Sequence, residues 1–409
     1  MISVSYPQRR LWFLNQLGEG VAYHVPFAAR LRGALDTAAL RAALTDVVDR
    51  HEALRTVFPS QDGEPYQKVF PPAALSADFR EVECGEEALD LAITKAVREP
   101  MDIAAAPPVR WRLFVLGPEE HVLVLVLHNI TADAASLGPI LRDLGVAYAA
   151  RAAAQPPRFE PLPVEYGEYT VWRQDFLGSV DDPDSLAAGQ LTYWRRTLAG
   201  IPEELTLPTD RPRPAEPSHR GEAVRFAIEP ALYARLVALA ESTGTSLFMV
   251  LQAGLAVLLS RMGAGTDVPI GSTVAGRTNG SDDGLVGFFG NTLVLRTDTS
   301  GDPTFRELLI RVRKTNVAAH ANQGVPFERV VEAVNPVRTL SRHPLFQVML
   351  QLHDDAEAAL ELPGLRVLPQ LITTGSARYD LLVAFQQTRA HPGRPAGMSG
   401  VLEYEIALF

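Results

Sequence analysis

The sequence predicts an α/β protein of two lobes of similar size, and three observations carry that reading. Helical and strand periodicities alternate from one end of the chain to the other, the pattern of mixed layers around a sheet. The 409 residues exceed what one hydrophobic core ordinarily serves. Two proline-rich stretches, residues 155–163 and 201–218, suit boundary connectors better than core elements. The expected division is an N-terminal lobe over 1–175 and a C-terminal lobe over 176–409.

Each element has its own local reason. Asp36 is a good helix N-cap, and Leu40, Leu44, Val47 and Val48 after it share one helical face. Residues 121–127 (HVLVLVL) form a continuous apolar run rich in valine, which predicts a strand buried on both faces in mid-sheet. The chain then turns through residues 128–134 into a helix with Leu137, Ile140, Leu141, Leu144 and Tyr148 on one face. In the second half, 230–241 and 246–261 read as helices, the latter so apolar that it is expected to be buried. Residues 267–274 and 291–297 read as strands, 303–321 as a helix, and 346–352, 379–387 and 400–406 as closing strands.

Composition narrows the function classes. Hydrophobic residues at 47% and charged residues at 21% are globular proportions. A net charge of −10 argues against a nucleic-acid backbone as the main ligand. Cys84 is the only cysteine, so it reads as a packing or surface thiol, with neither a disulfide nor a multi-thiolate metal site available. The first residues carry no basic region followed by an apolar run. The most apolar stretch, 247–259, is interrupted by Gln252 and Gly254 and falls short of the roughly 20 residues of a membrane helix. A cytoplasmic setting with no membrane, metal or cofactor is expected. The acidic pair Asp282 and Asp283, and the basic run Arg311, Val312, Arg313 and Lys314, read as solvated faces.

The polar cluster ending the central strand is the candidate site, because α/β folds commonly place chemistry at strand ends. His128 reads either as a general base or as a structural donor, and Asp133 either as its partner or as the N-cap of the next helix. Local physics leaves the choice open.

Wider motifs give the cluster a context. His128, Asn129, Ile130, Thr131, Ala132, Asp133, Ala134, Ala135 and Ser136 are similar to the HHxxxDG segment of condensation domains of nonribosomal peptide synthetases. Residues 5–14 (SYPQRRLWFL) resemble the family's SxAQxRLWxL, and 50–58 (RHEALRTVF) match RHExLRTxF throughout. Residues 166–172 (YGEYTVW) resemble YxDYAxW, and 286–292 (VGFFGNT) resemble VGxFVNT. Residues 322–328 (NQGVPFE) resemble HQDxPFE with Gly324 for the aspartate, and 338–345 (RTLSRHPL) resemble RDxSRxPL. Seven segments in the family's order span most of the chain.

The resemblance implies two chloramphenicol acetyltransferase-like lobes in a V-shaped pseudo-dimer. The C-terminal lobe sends crossover segments to the first, and a central tunnel is lined by residues such as Ser136, Asn291 and Gln323. It implies peptidyl carrier protein domains and neighbouring synthetase domains as partners. In that family the motif's second histidine positions or deprotonates the acceptor amine. The first histidine and the aspartate are structural, the aspartate pairing with an arginine of the other lobe, for which Arg277 is the candidate. The run ending at Phe409 is one that the family continues with a helix, so flanking domains are expected.

The altered catalytic set is therefore His128, Asn129 and Asp133. Asn129 stands where the second histidine belongs, and an amide takes no proton near neutral pH. Loss of a general base costs about 10²–10⁴ in rate. Ala134 fills the glycine position, where its methyl is expected to narrow the acceptor channel, and Ala135 replaces a large residue. The altered motif is similar in kind to the X domains of glycopeptide-antibiotic synthetases, which recruit cytochrome P-450-type oxygenases to a carrier-bound peptide. That subfamily's altered motif is expected to carry an arginine and an extra acidic residue, and this chain has Asn129 and Ala134 instead. Recruitment is the expected function, with peptide-bond formation between two carrier-bound thioesters as the alternative.

Overall fold

A computed structural model describes the chain except Met1, Glu19, Arg338, Leu340, Leu371, Thr373 and residues 278–282, 354–359 and 389–395. Asp282 of the acidic pair, and Arg338 and Leu340 of the 338–345 segment, lie outside the described residues. The chain opens with β1 (Ile2–Ser3), α1 (Tyr6–Gln16), β2 (His24–Arg32), α2 (Thr37–Arg50), β3 (Thr56–Val57), β4 (Ser60–Gln61) and β5 (Glu64–Val69). It continues through β6 (Phe79–Glu83), α3 (Glu86–Arg98), β7 (Val109–Gly117), β8 (Glu120–His128), α4 (Leu137–Ala152) and α5 (Tyr166–Leu177). Next come α6 (Leu186–Thr197), β9 (Gly221–Ile228), α7 (Pro230–Thr243), α8 (Leu247–Leu259), β10 (Asp267–Val274) and β11 (Asn291–Asp298). The last elements are α9 (Phe305–Ala321), α10 (Phe327–Val334), β12 (Val348–His353), β13 (Arg366–Gln370), β14 (Leu381–Thr388) and β15 (Gly397–Glu405).

Two compact units result. The first holds Met1–Phe176, Arg277–Gly290 and Glu357–Thr374, and the second holds Leu177–Gly276, Asn291–Ala356 and Gly375–Phe409. Neither proline-rich stretch is a boundary connector. Phe159 and Leu162 pack on the core of the first unit, and Leu205 and Leu207 are buried in the second. Proline interrupts backbone pairing but leaves the apolar side chains beside it free to be buried, and that burial decides where these stretches lie.

In the first unit the five-stranded sheet runs β13-β2-β8-β7-β6, with β8 at its centre. The apolar run earns that place because both of its faces meet helices. Leu123, Leu125 and Leu127 pack with Leu40, Leu44 and Val47 of α2 and Ile140, Leu141 and Leu144 of α4. Val122, Val124 and Val126 pack with Leu89, Ile93 and Val97 of α3. Asp36 caps α2, its carboxylate accepting from the Ala39 amide at 2.8 Å. The C-terminal carbonyls of α3 are satisfied from the sheet. Arg110 donates to Ala96, Glu99 and Pro100, and His24 Nδ1 donates to Val97 at 2.6 Å. His24 stands directly opposite His128 in the β2–β8 ladder.

The second unit is built on a six-stranded sheet, β11-β10-β12-β14-β15-β9. By length and composition the 18 residues Leu247–Ala264 pass for a membrane span, with mean hydropathy 1.7. Here they form α8 and a following π turn, with Ala253 and Ala256 fully buried. Burial of α8 is one-sided, since Leu258 is exposed. Gln252 is nonetheless buried, because it donates to Thr297 Oγ1 and accepts from Asn316 Nδ2. The strand expected from 346 begins two residues later, at Val348, because the Phe346 ring turns into the core over Gly271.

Candidate functional site

His128 ends β8 with no solvent exposure. The Ile130 amide donates to its Nδ1 at 3.1 Å, so Nδ1 carries the lone pair and the neutral ring's proton sits on Nε2. Burial, reinforced by the neighbouring His24, pushes its pKa down to about 3. The ring is thus neutral at physiological pH. Its edge meets His24 at a centroid distance of 5.9 Å. His24 is itself held below its ordinary pKa by burial, opposed by its bond to the Val97 carbonyl and aided by Arg110. His24 was not among the residues the sequence singled out. Only the cross-strand register brings it to His128.

The turn after β8 is tied down by other family segments. Asn129 donates its backbone N–H to the Tyr23 carbonyl, and Gln8 Nε2 donates to the Ile130 carbonyl at 3.0 Å. Gln8 also closes a capping box with Ser5 at the start of α1, so one glutamine serves both the helix end and the turn. The side-chain amide of Asn129 makes no hydrogen bond among the described residues, and the residue is half-buried.

Asp133 is saturated. Its Oδ1 accepts from the Ser136 amide (3.0 Å), the Ser136 hydroxyl (2.8 Å) and Arg277 Nη2 (3.1 Å). Its Oδ2 accepts from the Phe289 amide at 3.1 Å. Four donors occupy the lone-pair positions of one carboxylate, so it is a cap and a cross-link and has no capacity left for a reacting proton. Arg277 completes the arrangement by donating to the Leu285 carbonyl at 2.9 Å and covering the Phe289 ring at 4.1 Å. The arginine expected from the other lobe follows β10 in sequence, yet its segment, Arg277–Gly290, belongs to the first unit.

The structure gives three further candidate residues their surroundings. Ser136, expected along a tunnel, is fully buried; its hydroxyl lies 2.9 Å from the Gly287 carbonyl and 2.8 Å from Asp133. It holds the turn and has no surface to offer a substrate. Asn291 likewise spends its side chain on the second unit's own backbone. Nδ2 donates to the carbonyls of Gln323 and Val325, and Oδ1 accepts from Phe327. Gln323 contributes its carbonyl to that network. Ala134 begins a 3-10 turn, a right-handed conformation open to any residue, and its methyl is exposed. Alanine there costs no backbone strain.

The remaining motifs explain one another by contact. Arg50 and His51 both reach the buried Asp143 of α4, at 2.6 and 3.0 Å. Burial alone would raise the Asp143 carboxyl, but hydrogen bonds and charge from His51 and Arg50 hold it below its ordinary value. Glu52 accepts from the Gly167 amide, and the Tyr166 hydroxyl donates to Phe288. Gly287 must lack a side chain, since a Cβ there would lie 2.0 Å from the Tyr166 ring. Gly324 replaces the motif aspartate where a Cβ would approach Gln190 and Leu177 at 3.0 Å. Asp143 was missed in the sequence because nothing local marks it.

Among the described residues no group of three His, Cys, Asp or Glu side chains is arranged to hold a metal. The arrangement is a buried, neutral histidine and a saturated aspartate supporting a turn in which Asn129 is half-buried, while Thr131 Oγ1 and His128 Nε2 are buried without a partner among the described residues.

An α/β chain with this turn and these interlocking segments is a condensation-fold protein. It belongs to that family, whose description reads "Condensation domain" and whose model matches residues 1–390. Over 409 residues it is 50% identical to a dimodular nonribosomal peptide synthase of Bacillus subtilis (strain 168), covering all of this chain and 17% of that protein. Among solved structures it is similar to the X-domain from teicoplanin biosynthesis, with TM-score 0.92 and 37% identity, covering all of this chain and 90% of that one. A second similar structure is the complex of that X-domain with OxyB, with TM-score 0.91, 37% identity and coverage of 100% and 89%.

Proposed function

We propose that this chain is a non-catalytic condensation-fold domain. In this reading it recruits a tailoring oxygenase of cytochrome P-450 type to a carrier-bound peptide during antibiotic biosynthesis, in the cytoplasm. The observation that carries the reading is Asn129. Its side-chain amide is half-buried, bonds to nothing among the described residues, and takes no proton near neutral pH. His128 cannot stand in for it, being buried, neutral and bonded to Ile130. Likeness to an X-domain solved with OxyB supports the same reading. Because the chain spans about a sixth of its synthase relative, carrier domains, neighbouring domains and the peptide product belong to the proposal as well.

The second reading is an active condensation domain, favoured by the 50% identity to a synthase. Orientation alone accelerates amide formation, and an α-amine with pKa near ~8 is partly neutral without a base. Calorimetric titration of the chain with each oxygenase of its own pathway tests recruitment. Saturable binding of one of them is expected, and binding of none contradicts it.

A further inference from the structure

We propose that the outer face of α9 is a docking seam for an acidic amphipathic helix of a partner protein. The helix is 17 residues long, and its inner face is committed, with Leu308, Leu309, Val312, Asn316 and Ala319 buried. Its outer face carries Arg306, Ile310, Arg313, Val317 and His320, all exposed. These follow one another at intervals of four, three, four and three residues, the repeat of 3.5 by which one helix meets another. The seam is about 21 Å long at the α-helical rise. Its two aliphatic positions are β-branched and well exposed, Ile310 at 69% and Val317 at 58%.

The charges on this face point to the occupant. Among the described residues Arg306, Arg313 and the flanking Lys314 have no carboxylate partner, whereas Arg311, turned toward the sheet, pairs with Asp298 at 3.3 Å. The basic run of the sequence is therefore split by the helix, with Val312 buried, Arg311 paired and Arg313 and Lys314 outward. Glu307 is the helix's only acid, and the capping box with Thr304 holds it. Arg306 lies in the first turn, where the helix dipole opposes a cation, so helix stability is not its reason for being there. In a chain of net charge −10, this face is a local reversal of sign. Two aliphatic residues beside three cations that have no carboxylate partner among the described residues fit a helix that presents aliphatic side chains flanked by carboxylates. A membrane surface would need a broader apolar face. The proposal stands apart from the recruitment reading, since it names the chemistry of the partner's helix and not the partner's activity.

Fluorescence anisotropy with a labelled three-heptad helical peptide tests it, with leucine at the seam positions and glutamate beside them, against a twin carrying lysine for glutamate. The expected result is saturable binding of the glutamate peptide that weakens as salt rises from about 50 to about 500 mM, with none for the twin. Ile310→Asp, and Arg306→Glu with Arg313→Glu, weaken it by roughly tenfold or more. Hydrogen exchange on the unmutated chain gives a second reading, with the peptide protecting Phe305–Ala321 and leaving Glu86–Arg98 unchanged. No saturable binding, equal binding of both peptides, or protection elsewhere without protection of α9 overturns the proposal.

Discussion

Arg277 Nη2 lies 3.1 Å from Asp133 Oδ1, and the two side chains are only 6% and 12% exposed. A charge pair so deeply placed costs most when one partner is removed, because the other is left buried and uncompensated. Arg277→Ala is expected to destabilise the chain by about 3–5 kcal/mol. Asp133→Asn combined with Arg277→Ala is expected to cost less than the sum of the two single changes. A double-mutant cycle by urea denaturation measures the coupling, and strict additivity would contradict a direct pair.

Acid should loosen the fold well above the carboxylate range. His128 titrates near pH 6.5 when unfolded but at about 3 when folded, so the unfolded chain binds a proton between those values and the folded chain does not. Its contribution is complete above pH 6.5 and is lost as pH falls toward 3, at about 1.4 kcal/mol per pH unit. Burial lowers His24 and His51 in the same direction. The lowered Asp143 adds a later loss as pH falls through the carboxylate range. Urea midpoints from pH 8 to about pH 4 test this, and His128→Gln should flatten the slope by about one proton. A pH-independent midpoint down to about 5 would contradict it.

Gly287→Ala brings a methyl to 2.0 Å from the Tyr166 ring, on a residue whose carbonyl also accepts from the Asp133 amide. Overpacking of this kind costs about 1–3 kcal/mol. The melting temperature should fall, and Tyr166→Leu in the same chain should recover part of the loss. No change in melting temperature would mean the turn is looser than the structure has it.

Asn129→Ala marks the contrast. Its side chain bonds to nothing among the described residues, so stability should stay within about 0.5 kcal/mol of the parent chain. A larger loss in thermal or urea unfolding would give Asn129 a structural duty.

What sequence made legible here was periodicity and local capping. The run 121–127 announced a central strand because alternate faces of β8 both meet helices. Asp36 announced its cap because the bond to Ala39 spans three residues. Asp133 was legible as a cap for the same reason, but its ties to Gly287 and Phe289 cross more than 150 residues and no local pattern encodes them. His24 needed the strand register, and Asp143 needed the packing of α2 on α4. The backbone bonds of Ser136 and Asn291 were not legible, because a polar residue in a motif reads the same whether it faces a substrate or the chain's own backbone. The proline stretches misled because prolines mark a break in hydrogen bonding, whereas a unit boundary is set by burial.

The central claim is that the turn after β8 keeps its architecture and has lost its proton acceptor. The most direct measurement is a condensation assay with donor and acceptor thioesters loaded on the cognate carrier domains, read by mass spectrometry over a single turnover. Product at the rate of the loaded carriers without this chain is the predicted result. Dipeptide formed substantially faster in its presence, with the excess abolished by Asn129→Ala, would contradict the account.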